Sequence, residues 1–477
     1  IDEEIYRKLE RLRLPPSGAA GDEVYLRRVS LDLTGTLPTP KQVRDWLADD
    51  RPDRKERKID DLLASEAFVD YWTLRFATWL QVRALPKDRE TAQVYHNWLR
   101  EQIRMATPCD ELAWSLLTAT GDAHKVGPAN FTRMASDARQ HAELASRAFM
   151  GVRLQCANCH NHPLDRWTQD DYHGLAAVFA RLDRGRQVKA LARGDVTNPR
   201  TGDPAVPRLP GFADIDPDSD RPAAFARWLT QPENPYFSRA LVNRLWHSMF
   251  GRGLVEPVDD LRATNPPSHP ELLDRLAADF IDHGCDIRGT LRMIALSDCY
   301  GRDNQPLPQN RDDARFYSHA WQRPLSAEVL ADAIACATGV AEPYGDQPLG
   351  VRAVQLYDPQ TPSATLDILG RCSREEACES GSAPRGLPAR LHLLNGRLVN
   401  GKLRDDRGRL MRLIAEGRSN EQIVTEFYLC ALSRYPSKAE FDYWDAQLPP
   451  RGSTQRRDAL EDFAWALLNS SEFATNH

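Results

Sequence analysis

Gln155-Cys156-Ala157-Asn158-Cys159-His160-Asn161-His162-Pro163 puts two cysteines three residues apart, with a histidine directly behind the second. This is the spacing of c-type haem attachment. The two thiols add across the vinyl groups of one haem, and the adjacent imidazole reaches the iron from the proximal side. Two thioether bonds and one Fe–N bond must close around a single rigid ring, so these residue types are needed side by side. The same thiols can also be read as half of a zinc or iron site, or as two structural cysteines. A closed structural ion site takes four ligands, and no second Cys-x-x-Cys exists in the chain. An ion bound directly by Cys and His would therefore draw on His160, His162, His173, Cys372 and Cys378. His162 is too near His160 to reach the opposite face of the same haem without an unusual loop.

Working outward from the motif, Asp137 is placed to cap a helix that runs to Met150, and Gly151 to end it. Behind the motif, the polar and aromatic run 163–174 leads into an apolar helix over 175–182. Further upstream the apolar spacing is helical, first at Ile5, Leu9 and Leu12, then at Tyr25, Val29 and Leu33. Thr39-Pro40 is a helix start with proline in the first turn. Phe68, Trp72, Phe76 and Trp79 recur at helical spacing; this stripe reads as core, with a haem wall as the alternative. Residues 184–222, rich in Pro, Gly, Asp and Arg, read as a connector with short extended pieces.

Past the connector, 223–250 reads as two helices broken near Pro232 and Pro235. Ser268 and Glu271 have capping-box spacing ahead of the next helix, as do Ser419 with Gln422 and Ser437 with Glu440. Residues 341–388 form a long Pro- and Gly-rich stretch, a length that inside a compact domain marks a functional or mobile segment. The expected fold is mainly α, with little β. Residues 1–183 would carry the motif, 184–222 would connect, and 223–477 would form a helical partner domain.

The chain has 477 residues, 41% hydrophobic and 27% charged, with a net charge of -6. That is ordinary globular composition, and the small net charge gives no reason to expect a nucleic acid or an anionic membrane as partner. No apolar run is long enough to span a bilayer. The chain opens at Ile1 and shows no signal peptide, as expected of a processed or trimmed product. Of nine cysteines, most outside the motif lie in apolar helical patterns and read as small buried hydrophobes. Cys372 and Cys378, close together in a polar loop, are the candidate bridge or ligand pair.

Several strings taken together resemble a known family. Leu26-Arg27-Arg28-Val29-Ser30-Leu31-Asp32-Leu33-Thr34-Gly35 resembles the opening of the planctomycete cytochrome-c-like domain. The stretch from Gly151 to Ala180, with His162-Pro163-Leu164-Asp165-Arg166-Trp167-Thr168-Gln169, resembles its signature. Leu241-Val242-Asn243-Arg244-Leu245-Trp246 and Asp259-Asp260-Leu261-Arg262-Ala263-Thr264-Asn265-Pro266-Pro267-Ser268-His269-Pro270 look like the partner domain that follows it. His392-Leu393-Leu394-Asn395-Gly396 and Leu432-Ser433-Arg434 continue that match. The resemblance implies a large exported or surface-associated bacterial protein and names no substrate. One departure stands out: the family's Cys-x-Cys before His392 is reduced here to Cys378-Glu379-Ser380.

Three functions follow as expectations. In the first, the protein is an exported c-type haem protein, an oxidoreductase or electron carrier, periplasmic or at the cell surface. Cys156 and Cys159 tether haem c and His160 ligates its iron. Met150, Met293, His173, His269 or Cys378 would supply a sixth ligand, favouring electron transfer, or the position would stay open, favouring catalysis, and the 341–388 segment would close over a haem held between the halves. The second is a metal-dependent hydrolase or lyase built on Asp259, Asp260, Arg262 and His269, whose carboxylates and imidazole suit acid–base work or a hard cation. The third is a non-catalytic module that binds glycans or a protein partner.

Overall fold

The computed structural model describes residues 1–375 and 386–477. Helix accounts for 52% of the described residues and strand for 4%, so the expected mainly α architecture holds. The helix starts follow local chemistry. Thr39 and Gln42 form a capping box ahead of Pro40–Leu47, and the Asp137 carboxylate accepts the N–H groups of Arg139 and Gln140. Ser419 and Ser437 cap Asn420–Phe427 and Lys438–Gln447 in the boxes their spacing implied. Each such cap satisfies N–H groups that have no partner inside the helix and is worth about 1 kcal/mol. The spacing at Ser268 and Glu271 does not make a box. His269 is the N-cap residue of Pro270–Asp282, with no side-chain capping bond, because the Ser268 hydroxyl is engaged by the His269 ring instead, at 3.0 Å.

The little β structure ties distant segments together. Gln187–Ala190 lies between Gly121–Asp122 and Leu182–Asp183 in a small antiparallel sheet. Arg323–Pro324 pairs with Thr475–Asn476, with Arg323 opposite Asn476. The connector is anchored. The Asp171 carboxylate accepts from Arg208 Nε at 3.2 Å and from the Gly211 N–H at 2.9 Å. The 341–388 stretch also holds structure in its described part: a 3-10 turn Ala353–Gln355 and a short helix Ala364–Ile368 capped by Ser363.

Helix Asp22–Thr34 is the strut of the molecule. Every residue from Tyr25 to Thr34 is buried, including Arg27, Arg28 and Asp32. Arg27 donates to the carbonyls of Ala431 (2.8 Å), Phe473 (2.9 Å) and Thr475 (3.2 Å). Arg28 donates to those of Tyr300 (2.5 Å), Arg302 (2.8 Å) and His477 (3.1 Å). The far end of the chain is thus folded onto a helix near its beginning. Burying a guanidinium costs several kcal/mol, recovered only when its donors are filled. The Leu26–Thr34 string therefore specifies which carbonyls must meet it more than it adds net stability.

Helix Phe237–Phe250 plays the same part in the second half, and is buried almost throughout. Asn243 reads the backbone of the following loop in both directions, donating to the Val255 carbonyl (2.9 Å) and accepting from its N–H (3.0 Å). Arg244 donates to the Arg147 carbonyl at 2.6 Å. That contact joins this helix to the π turn Ser146–Met150, immediately ahead of the two-cysteine motif.

Candidate functional site

The motif sits on a 3-10 turn, Gln155–Asn158, with Cys159 at its end. A 3-10 helix has three residues per turn, so positions i and i+3 eclipse. Cys156 and Cys159 therefore project to the same side. Both are free and exposed, while Ala157 between them is fully buried and pins the turn to the core. The chain reaches this turn through Gly151, at φ 63°. A Cβ there would stand 2.6 Å from Leu261 Cδ1, so glycine is required both by the backbone and by the close approach of the second half.

Hydrogen bonding settles the three histidines. A carbonyl oxygen only accepts, so the 2.7 Å contact of His160 Nδ1 with the Asn161 carbonyl puts the proton on Nδ1. The Nε2 lone pair of the exposed His160 is then free, the tautomer of a metal-ligating imidazole braced by a backbone carbonyl. His162 is the reverse. Its Nδ1 accepts the Leu164 N–H at 3.2 Å, so the neutral ring carries its proton on Nε2 and has no free lone pair. His173 is fully buried and its Nε2–H donates to the Asn158 carbonyl at 3.1 Å. Burial pushes its pKa down, against the pull of that carbonyl. Gln169 Nε2 donates to the same oxygen at 3.4 Å. His173 and Gln169 thus brace the turn from helix Gln169–Val178, which Thr168 and Asp171 cap with a reciprocal box.

The loop carrying Asp259, Asp260 and Arg262 docks beside this turn. The Leu261 N–H donates to the Gly151 carbonyl at 2.8 Å, and the Thr264 hydroxyl to the Leu164 carbonyl at 2.9 Å. Asp259, 1% exposed, accepts from Arg153 Nε at 2.8 Å and from its Nη2. Asp260 pairs with Arg262 at 3.3 Å. Of the four residues expected to form one acid–base cluster, the three on the loop stay together and His269 turns elsewhere. Its ring lies 5.7 Å from that of Tyr317 and 6.2 Å from that of Phe316. Burial, with Lys8 nearby, pushes its pKa down to about 4. Asp259 is held by a guanidinium on one oxygen, which suits a structural anchor better than a proton acceptor.

Among the described residues no three His, Cys, Asp or Glu side chains converge as an ion site. Cys372 is disulfide-bonded, which removes it as an ion ligand; Cys378 lies outside the described residues. The described part of the 341–388 stretch docks away from the motif. Arg352 pairs with Asp70 at 2.9 Å, Arg374 donates to the Val82 carbonyl at 2.9 Å, and the Ala353 N–H donates to Asp332 at 2.7 Å. Three of the four stripe aromatics are core, Phe68, Trp72 and Phe76 at 1%, 0% and 3% exposed, and the half-buried Trp79 packs on Trp72 and Phe76. Arg153, Asn158 and Gln169 escaped the sequence reading. Only the long-range pairing of Arg153, or the bracing through a backbone carbonyl, marks them.

No helix is long and apolar enough to cross a membrane among the described residues. Neither a curated protein nor a solved structure matches the chain. Two family models do: PSCyt2, a protein of unknown function (DUF1549), over residues 1–184, and PSD1, a protein of unknown function (DUF1553), over residues 221–448. The Cys156 turn falls in the first and the Asp259 loop in the second, so the contact between them joins the two matched regions. The chain belongs to the planctomycete cytochrome-like family of unknown function, with a PSCyt2 region at its N-terminal end and a PSD1 region behind it.

Proposed function

We propose that this is an exported c-type haem protein serving redox chemistry, as an oxidoreductase or an electron carrier outside the cytoplasm. The observation that carries this reading is the exposed turn on which Cys156 and Cys159 eclipse, next to a His160 whose Nε2 is free. The donor set fits haem c: two unpaired thiols on one side and an imidazole already in the ligating tautomer. Bound there, haem supplies a one-electron iron couple whose potential follows its axial ligands and its exposure.

The chain's own residues do the positioning. Cys156 and Cys159 would hold the attachment, and His160 Nε2 would donate to the iron. The Asn161 carbonyl fixes the His160 ring and its tautomer. His173 and Gln169 keep the turn in shape through the Asn158 carbonyl. The Arg153–Asp259 pair and the Leu261 N–H clamp the approach to the turn from the second half. An attachment point exposed on the surface favours electron exchange with a docking partner over chemistry in a sealed pocket.

Secretion of the protein from a host able to mature c-type cytochromes tests this. The expected product absorbs in the Soret region, keeps its haem through denaturation and loses it in Cys156→Ser/Cys159→Ser. A colourless product whose two thiols both react with an alkylating agent overturns the assignment.

A further inference from the structure

A cavity of about 810 Å³ lies apart from the motif, where the first half meets the end of the chain. Its walls come from helices Asp22–Thr34 and Glu66–Trp79, the C-terminal turn of Phe237–Phe250, the Arg323–Ser326 segment, helix Leu387–Asn395 and residues 469–476. The volume is that of a small-molecule site. Three arginines line it, Arg75, Arg323 and Arg390, against one carboxylate, Asp32.

Asp32 is already saturated. Its Oδ1 accepts from Arg323 Nη2 (3.0 Å) and Asn476 Nδ2 (2.7 Å). Its Oδ2 accepts from Arg323 Nη2 (2.8 Å) and the Tyr300 hydroxyl (2.8 Å). Asp32 is therefore committed to Arg323, with the buried Arg28 also in its field, and has no acceptor left for Arg75 or Arg390. Arg75 donates one Nη2 bond to the Ser248 hydroxyl at 2.7 Å, and its Nε is buried without a partner. No carboxylate pairs with Arg75 or Arg390 among the described residues. His247 adds a neutral imidazole to the wall; burial, then Arg75 and Arg323, push its pKa down to about 3. The remaining lining mixes aliphatic side chains, Leu31, Leu325, Val329 and Leu393, with hydroxyl and amide ones such as Ser326, Asn469 and Ser471. Arg75, half-buried inside the recess, and Arg390, at its exposed edge, thus offer two guanidiniums without a carboxylate, and an oxyanion between them gains charge-assisted hydrogen bonds.

We propose that this cavity binds a small organic anion, its oxyanion head held by Arg75 and Arg390 and its apolar body against the leucine wall. The site uses no residue of the two-cysteine turn, so it stands or falls separately from the haem assignment.

Isothermal titration of the full chain with phenyl phosphate and with benzoate tests it, with benzyl alcohol as the uncharged control. Saturable one-to-one binding of at least one anion is expected, and the preferred head group tells phosphate from carboxylate. The alcohol should bind at least about tenfold more weakly. Arg390 is exposed, so Arg390→Ala should keep the wild-type circular dichroism and melting temperature while weakening the anion about tenfold. Leu393→Trp, which fills the recess, should abolish binding. Three results overturn the proposal: no saturable heat with either anion up to ~10 mM, alcohol binding equal to anion binding, or affinity unchanged in both variants.

Discussion

Asp32→Asn removes one charge from the best-connected carboxylate of the molecule and leaves its shape. The side chain is 4% exposed and accepts four hydrogen bonds from Arg323, Tyr300 and Asn476. The asparagine amide accepts on one atom only, so two of the four contacts are lost: one of the two made by Arg323 Nη2, and that of either Tyr300 or Asn476. Charge-assisted hydrogen bonds are worth about 1.5–3 kcal/mol each. Leaving one member of a buried ion pair uncompensated costs about 3–5 kcal/mol. These are not additive, because the same donors are counted in both, so the expected loss is about 3–5 kcal/mol in all. Urea unfolding followed by circular dichroism and by tryptophan fluorescence measures it. Hydrogen exchange should show the loss first at Arg323–Pro324 and Thr475–Asn476, the strands that Asp32 joins to helix Asp22–Thr34. If desolvation governs the pair, Asp32→Asn/Arg323→Met should recover part of the stability that Asp32→Asn loses. A loss under about 1 kcal/mol for the single variant would refute the reasoning, since four buried bonds to one carboxylate would then be energetically idle.

The exposed cysteines predict that Cys156→Ser/Cys159→Ser, made without haem, changes unfolding free energy by no more than about 0.5 kcal/mol; a larger loss in denaturant titration would mark the thiols as structural. Asp259→Asn should destabilise the fold by about 1–3 kcal/mol by loosening the grip of Arg153 on the loop, yet leave covalent haem incorporation intact, which the absorption spectrum reads. For His96, burial, with Arg374 nearby, holds the imidazole neutral to about pH 3 against an unperturbed 6.5. Below 6.5 the unfolded chain then binds the extra proton, and stability falls as pH falls, by about 1.4 kcal/mol per unit for this group. His96→Gln should remove that slope between pH 6.5 and 4, and the difference between the two stability curves at matched pH isolates it; parallel curves count against a buried neutral His96.

The elements that local chemistry dictates were legible in the sequence. Thr39-Pro40, Asp137, Ser419 and Ser437 place helix starts through bonds to neighbours two or three residues away, and the fold keeps all four. Ser268 failed because the hydroxyl had a second suitor next door, the His269 ring, and residue spacing does not rank competing partners. The same limit governs the site. Cys156, Cys159 and His160 stay together on one exposed turn because they are contiguous in the chain. Asp259, Asp260 and His269 looked like a group for the same reason, but the chain turns at Ser268 and buries His269 against Tyr317. What no spacing encodes is the partner drawn from far away: Arg153 for Asp259, the carbonyls of Ala431 and Phe473 for Arg27, Arg323 for Asp32. A buried charge must be matched within a few ångströms, and the match is chosen by the whole fold. Arg27, Arg28 and Asp32 inside an apolar helical pattern were therefore the informative anomaly of the first half. Charged residues on the buried face of a helix announce that the rest of the chain must come to them, and here four of the last five residues do.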